Sequence, residues 1–174
     1  MGEGTIIIIC LDEAHFTIDA NRRRCWAKKG TTPIVYMNGS KESIDVGGAL
    51  TSKGKFHYQQ MKRQVKEEVL KFIKRLHQKY RNTHRKILFI LDKATWHKND
   101  LVKGYFKKHK DTIDYMWFPT GAPDINPVEE CWNQTRDNKT ANTSHDSGKH
   151  LAYSLKSYWN TQPFNLNLLN YLCS

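Results

Sequence analysis

Several protein classes are excluded by what this sequence lacks. The longest unbroken apolar run, Ile6 to Leu11, is six residues, whereas a membrane-spanning helix needs about twenty. No membrane partner is expected. Residues 1–4 place no basic segment ahead of an apolar one, so no secretory leader is expected either. Four cysteines occur (Cys10, Cys25, Cys131 and Cys173), and no two are spaced Cys-x-x-Cys. That supports neither a zinc site nor a disulfide framework, and it points to a reduced, cytoplasmic protein. A Gly-rich phosphate loop, a Ser/His/Asp set and a Gly-x-Ser-x-Gly elbow are all missing. Acidic residues are scarce beside basic ones, 17 against 28, which leaves a formal charge of +11.

That excess favours a polyanionic partner, nucleic acid first, because basic surface attracts phosphates and releases their counterions. The 174 residues are 39% hydrophobic and 26% charged, as in a single globular domain with one core.

The pattern along the chain predicts a mixed sheet. Ile6–Leu11 is β-branched and apolar on both faces, and reads as a buried central strand. Thr17–Trp26 reads as a hairpin partner with its turn, and Ile34–Met37 as a strand. Asn38-Gly39 is a hairpin dipeptide. Ser43–Leu50 reads as a further strand, in which Gly47-Gly48 suggests a bulge or a close backbone approach. Lys55–Gln59 reads as a short edge strand.

From Met61 to Tyr80, apolar residues recur at three- and four-residue steps and predict an amphipathic helix of about five turns. Ile87–Leu91 is a second buried strand. After it come a helix over Asn99–Lys110, a strand over Ile113–Phe118, an irregular loop to Pro127, and a helix from Pro127. Asp137–Gly148 reads as a polar loop and Leu151–Trp159 as the last helix. The fold class is therefore α/β: an antiparallel three-strand meander plus parallel strands, with helices on both faces.

Two buried strands each run into an aspartate, Asp12 and Asp92. An aspartate after a strand commonly just begins a turn. Two on neighbouring strands would repel unless a cation sits between them or one takes a proton, and hard oxygen donors suit Mg²⁺ or Mn²⁺. A third acid is available at Asp124, Glu129 or Glu130. On local pattern alone, Asn126-Pro127-Val128-Glu129 is a helix start with Glu129 in a capping box. His15 and His97 follow the two aspartates and read as surface histidines, or as outer ligands or phosphate contacts. Trp96, Trp117 and Trp132 suit the core or a DNA-facing platform. Arg22, Arg23, Arg24, Lys28 and Lys29 form the densest basic cluster, for phosphate contact or plain solvation.

Four segments together resemble the catalytic domain of the IS630/Tc1/mariner superfamily of DDE transposases, most closely its IS630 branch. Leu11-Asp-Glu-Ala-His-Phe16 is similar to the family's first-acid strand. Trp26-Ala-Lys-Lys-Gly-Thr-Thr-Pro33 is similar to its tryptophan, basic, glycine and proline segment. Ile90-Leu-Asp-Lys-Ala-Thr-Trp-His97 is similar to the second-acid motif. Phe118 to Trp132, with Pro, Asp, Asn-Pro, Glu and Trp in order, is similar to the third-acid block.

The resemblance implies an RNase H-like fold and makes Asp12, Asp92 and Glu129 the DDE triad, with 36 residues between the last two. Asp124 and Glu130 remain runner-up ligands. It implies Mg²⁺ or Mn²⁺, two ions, cleavage of double-stranded DNA at transposon ends, and 3′-OH strand transfer into target DNA by a homodimer. A bacterial member would act at the nucleoid.

Residues 1–140 form the expected catalytic core and 141–174 a helical extension of it. These 174 residues are expected to lack the family's N-terminal helix-turn-helix domain, and a separate DNA-binding partner is an expectation. Lys93 stands where the family commonly has Asn, and would either compete with a metal or contact phosphate, as His97 would. The other readings are a non-catalytic transposase-derived DNA-binding or assembly protein and a stand-alone RNase H-like nuclease.

Overall fold

The apolar run at Ile6 becomes the centre of a five-stranded sheet. The computed structural model describes residues 6–121 and 123–172, with only the backbone for Pro123 and Leu169. Residues 1–4 and Cys173, used above in excluding a leader and a disulfide framework, lie outside the described residues. Strands β1 (Ile6–Thr17), β2 (Ser43–Thr51) and β3 (Phe56–Met61) form an antiparallel meander. Strand β4 (Lys86–Leu91) runs parallel to β1, and β5 (Ile113–Trp117) parallel to β4. The order across the sheet is β3-β2-β1-β4-β5.

Alternation along β1 divides the core in two. Ile7, Ile9 and Leu11 pack against α1 (Lys66–Tyr80) and α2 (Asp100–Lys108), through Val69, Phe72, Ile73 and Phe106. Cys10, Ala14 and Phe16 face the other way, onto α3 (Pro127–Lys139) and α4 (Gly148–Thr161), through Val128, Trp132, Leu155 and Trp159. A short α5 (Leu168–Leu172) adds Leu168 to that second cluster. Helices therefore cover both faces, as the strand and helix order predicts. No helix among the described residues is long and apolar enough to cross a membrane.

Several boundaries differ from the sequence reading. Strand β1 continues to Thr17, because Ala14 and Phe16 alternate with exposed His15 and Thr17 and keep one face buried. The hairpin partner over Thr17–Trp26 and the strand over Ile34–Met37 do not form. Residues 22–39 are almost wholly exposed, with Trp26, Ile34 and Tyr36 in solvent, so pairing would bury no apolar face. This arm is tied down at Asn21, which bridges Ala141, and at Asn38, which donates its amide N–H to Asp19.

Helix α1 begins at Lys66, not Met61. Met61 closes β3 with its side chain buried, and Val65 is the N-cap. Much of the predicted polar loop from Asp137 remains, although α3 holds its first three residues. The two glycines of β2 make no bulge: Gly47 and Gly48 pair in unbroken register with Glu13 and Asp12.

Candidate active site

Register brings the two aspartates together. β1 and β4 pair in parallel up to Cys10↔Ile90, so Asp12 and Asp92 stand at the same level, two residues further on. Asp12 lies inside β1, opposite Gly48 of β2, and not at a strand end as its neighbours suggest. Asp92 does follow the end of its strand. The third acid arrives from the opposite layer. Asn126 caps α3 by accepting the Val128 N–H at 3.2 Å, and Pro127 takes the first helical position. Glu129 sits in that first turn. Asp12, Asp92 and Glu129 line one cavity of about 260 Å³ beside Lys93, Thr120 and Asn126.

The two aspartates have opposite electrostatics. Asp12 is buried, and its carboxyl is pushed well above the usual carboxylate range by desolvation, then by the negative charge of Glu129, Glu13 and Asp92. The indole Nε1–H of Trp132, donated to Asp12 Oδ2 at 3.0 Å, opposes that rise. Trp132 is itself fixed: a Cβ on Gly48 would come within 2.4 Å of its ring. Close backbone approach, rather than a bulge, is thus the reason for glycine there.

Asp92 is held below the usual range. Burial raises it, but hydrogen bonds from His97 and the Ala94 amide outweigh burial. His97 Nδ1 donates to Asp92 Oδ1 at 2.5 Å and Ala94 N–H to the same oxygen at 3.0 Å. Burial pulls the imidazolium down, yet hydrogen bonds to Asp92 and Glu13 lift it to about 10. His97 is therefore a cation at neutral pH, donating from both nitrogens.

The donor set suits a hard divalent ion: carboxylate oxygens around one cavity, one of them buried beside three other acids. Among the described residues, no three His, Cys, Asp or Glu side chains converge on one point as they stand. The fit is one of chemistry and shared cavity.

The other expected residues fall in several places. Lys93 reaches into the cavity, where its Nζ donates to Thr120 Oγ1 at 2.8 Å. His97 is the main correction: with 0% exposure it reaches neither solvent nor a DNA phosphate. Its buried carboxylate partners pull it inward. His15 stays at the surface, paired with Asp45 at 2.8 Å. Asp124 and Glu130 line a neighbouring hollow with Asn133 and Tyr171, which shares Asn126 and Glu129 with the main cavity.

Arg22, Arg23 and Arg24 line a separate cleft with Asp137 and Asn142, and Arg23 pairs with Asp137 at 3.6 Å. Lys28 and Lys29 are exposed on the arm. Trp132 belongs to the core, while Trp96 and Trp117 are partly buried against the α1 and α2 side. Sequence reasoning missed Glu13. Its signal was an acid on the face of β1 that Ile7, Ile9 and Leu11 otherwise bury.

Known proteins resemble this chain in sequence and in fold. The family described as DDE superfamily endonuclease matches residues 7–152. The Tc3 transposable-element transposase of Caenorhabditis elegans is 27% identical over 173 residues, 95% of this chain and 52% of that protein. The uncharacterized protein y4pE/y4sA of Sinorhizobium fredii is 38% identical over 55 residues, 32% of this chain and 37% of that protein. The chain thus spans about half, or less, of the length of these relatives.

Among solved structures, the Mos1 mariner paired-end complex with Mn superposes with a TM-score of 0.74 at 12% identity, over 95% of this chain and 52% of that one. The Mos1 mariner transposase catalytic domain alone gives 0.62, also at 12% identity, over 95% and 74%. At such identity the likeness is one of fold, and the shared fold is the RNase H-like one. The family match covers both aspartates and Glu129, and the chain belongs to the DDE superfamily endonucleases.

Proposed function

We propose that this chain cuts DNA at transposon ends and joins the freed 3′-OH to target DNA, with Asp12, Asp92 and Glu129 as the acids that hold two divalent ions. The observation that carries this reading is the one cavity lined by all three acids, delivered by three separate elements. Two ions bound there would supply water activation and stabilisation of the leaving oxygen.

The remaining work falls to the protein. Trp132 keeps the buried Asp12 carboxylate oriented, and His97 keeps Asp92 ionised. Lys93, tethered to Thr120 at the cavity wall, offers a positive charge to a phosphate oxygen of the strand being cut. In the first step water attacks phosphorus, the P–O3′ bond breaks and the 3′-OH departs. In the second, that hydroxyl attacks a target phosphodiester in line, and a target 3′-OH leaves.

The exposed Arg22, Arg24, Lys28 and Lys29 fit phosphate contact along the same duplex. The remaining half of such a protein would hold a helix-turn-helix domain for end recognition, and two copies would pair two ends. Residues 141–174 extend the core of residues 1–140, since Leu151, Leu155 and Trp159 pack into the cluster that contains Trp132. In a bacterium the working location is the nucleoid.

The test is Mn²⁺-dependent nicking of supercoiled plasmid, followed by joining of a pre-cut 3′-OH end. Asp12→Asn, Asp92→Asn and Glu129→Gln should each lower nicking on the order of 10³-fold. Undiminished nicking by Asp92→Asn would sink the site assignment. Nicking without joining would identify a plain nuclease.

A further inference from the structure

His97 holds two carboxylates, and only one belongs to the proposed triad. Its Nδ1 donates to Asp92 Oδ1 at 2.5 Å and its Nε2 to Glu13 Oε1 at 3.1 Å. The other oxygen of Glu13 accepts the Trp96 Nε1–H at 2.7 Å. The side chains of His97 and Glu13 are 0% and 3% exposed, so the pair is sealed from water. Glu13 follows Asp12 in β1 and therefore points to the opposite face of the sheet, where Trp96 packs against the α1 and α2 side. The line Trp96–Glu13–His97–Asp92 thus ties the strand carrying the first acid to the loop carrying the second.

A buried carboxylate that faces neither solvent nor the cavity is a costly choice unless it fixes something. Here both oxygens of Glu13 are used on rings, and one of those rings is aimed at an acid of the site. Asp92 Oδ1 is meanwhile engaged by two donors, the imidazole and the Ala94 amide. That commits Oδ1, and leaves Oδ2 as the oxygen that Asp92 has to offer the cavity it lines.

We infer that Glu13 and His97 are positioning residues: Glu13 sets the imidazole, and the imidazole turns one defined oxygen of Asp92 toward the divalent ion. The inference rests on the proposed reading of Asp92 as a metal-holding acid. It belongs to the same logic by which buried partners behind a ligand orient it and tune its affinity.

The shape of histidine supplies the test. In His97→Asn the amide nitrogen falls where Nδ1 stood and still faces Asp92. In His97→Gln it falls where Nε2 stood and faces Glu13. Mn²⁺ affinity of the 174-residue chain is measured by electron paramagnetic resonance of the free ion, beside a thermal melt of each variant. His97→Gln and His97→Ala should bind Mn²⁺ about 10- to 100-fold more weakly, and His97→Asn within about threefold of the parent. The melts should rank the other way, with Gln above Asn because it fills more of the space.

Mn²⁺ affinities that follow the melting order would overturn the positioning role and leave a structural tie. Asp92→Asn separates the two readings. If it abolishes Mn²⁺ binding while every His97 variant binds like the parent, positioning fails alone. If it binds Mn²⁺ like the parent, the assignment of Asp92 fails and the inference with it. For any His97 variant that does not fold, Glu13→Gln is the milder substitute. It should weaken Mn²⁺ about tenfold, and parent-like affinity there counts against positioning.

Discussion

Asp12 stands inside a strand, 7% exposed, against an indole and three other acids. Asp92 stands just beyond the neighbouring strand with 44% of its side chain exposed, against a buried imidazolium. The two share a level on adjacent parallel strands and the same residue type, yet burial raises the proton affinity of one and a cation lowers that of the other. A carboxylate pair can thus be split by what lies behind each member, one on each side of the sheet. Asp12 is backed by α3, and Asp92 by a link that crosses to the α1 and α2 side.

The most severe way to break this comparison leaves both aspartates in place. Gly48→Ala forces a Cβ into the Trp132 ring, a rigid and fully buried neighbour, and should cost about 3 kcal/mol as well as Mn²⁺-dependent nicking. Gly47→Ala is the control. Its new Cβ meets first the terminal methyl of Met61, which has rotamers to spare, and its melting temperature should fall less.

Next in size is a divergence in stability, read by chemical denaturation in chelator. Asp12→Asn removes a poorly compensated buried charge while still accepting the Trp132 N–H, and should gain about 1 kcal/mol at neutral pH. Asp92→Asn strips His97 of its charged partner. Screening at a half-exposed carboxylate limits that loss to about 1 kcal/mol.

The pH dependences should also oppose each other. Asp12 has a raised folded value, so the parent loses stability as pH climbs above the ordinary 3.8 toward that value, and the advantage of Asp12→Asn widens with pH. Asp92 has a lowered one, so its contribution is full above 3.8 and is lost as pH falls below it. The penalty of Asp92→Asn should therefore fade in strong acid. Parallel pH curves for the two variants would erase the distinction.

The smallest effect sharpens the comparison from outside. Replacing Arg22, Arg23 and Arg24 by alanine should leave Mn²⁺ affinity unchanged and reduce the salt slope of DNA binding by up to about 3. An unchanged slope would move the DNA elsewhere on the surface.

What was legible in the sequence is what repeats locally. The two apolar strands, the stripe of α1 and the helix start at Asn126 each carry their signal within a few residues, and all four elements form, although β1 runs on to Thr17 and α1 begins only at Lys66. The two aspartates were legible because each follows an apolar run, although Asp12 then proves to lie inside its strand. The arm over residues 22–39 was misread because short apolar runs such as Ile34–Met37 predict pairing only if a face is there to bury, and none is. The environment of His97 was illegible for another reason. Its partner Glu13 is 84 residues away and the partner of Asp12, Trp132, is 120 away, so only the strand order brings them into contact.

The shared level of Asp12 and Asp92 follows from a constant offset of 80 between the pairing residues of β1 and β4. Length changes in the chain are therefore far from equivalent. One residue added within either strand ahead of its aspartate would flip that acid to the opposite face and dismantle the cavity, without altering hydrophobicity or charge. One residue added to the exposed arm would change only the slack of a loop. A lineage carrying this domain is thus free to vary in arm length and held nearly to the residue between Ile6 and Asp12 and between Lys86 and Asp92.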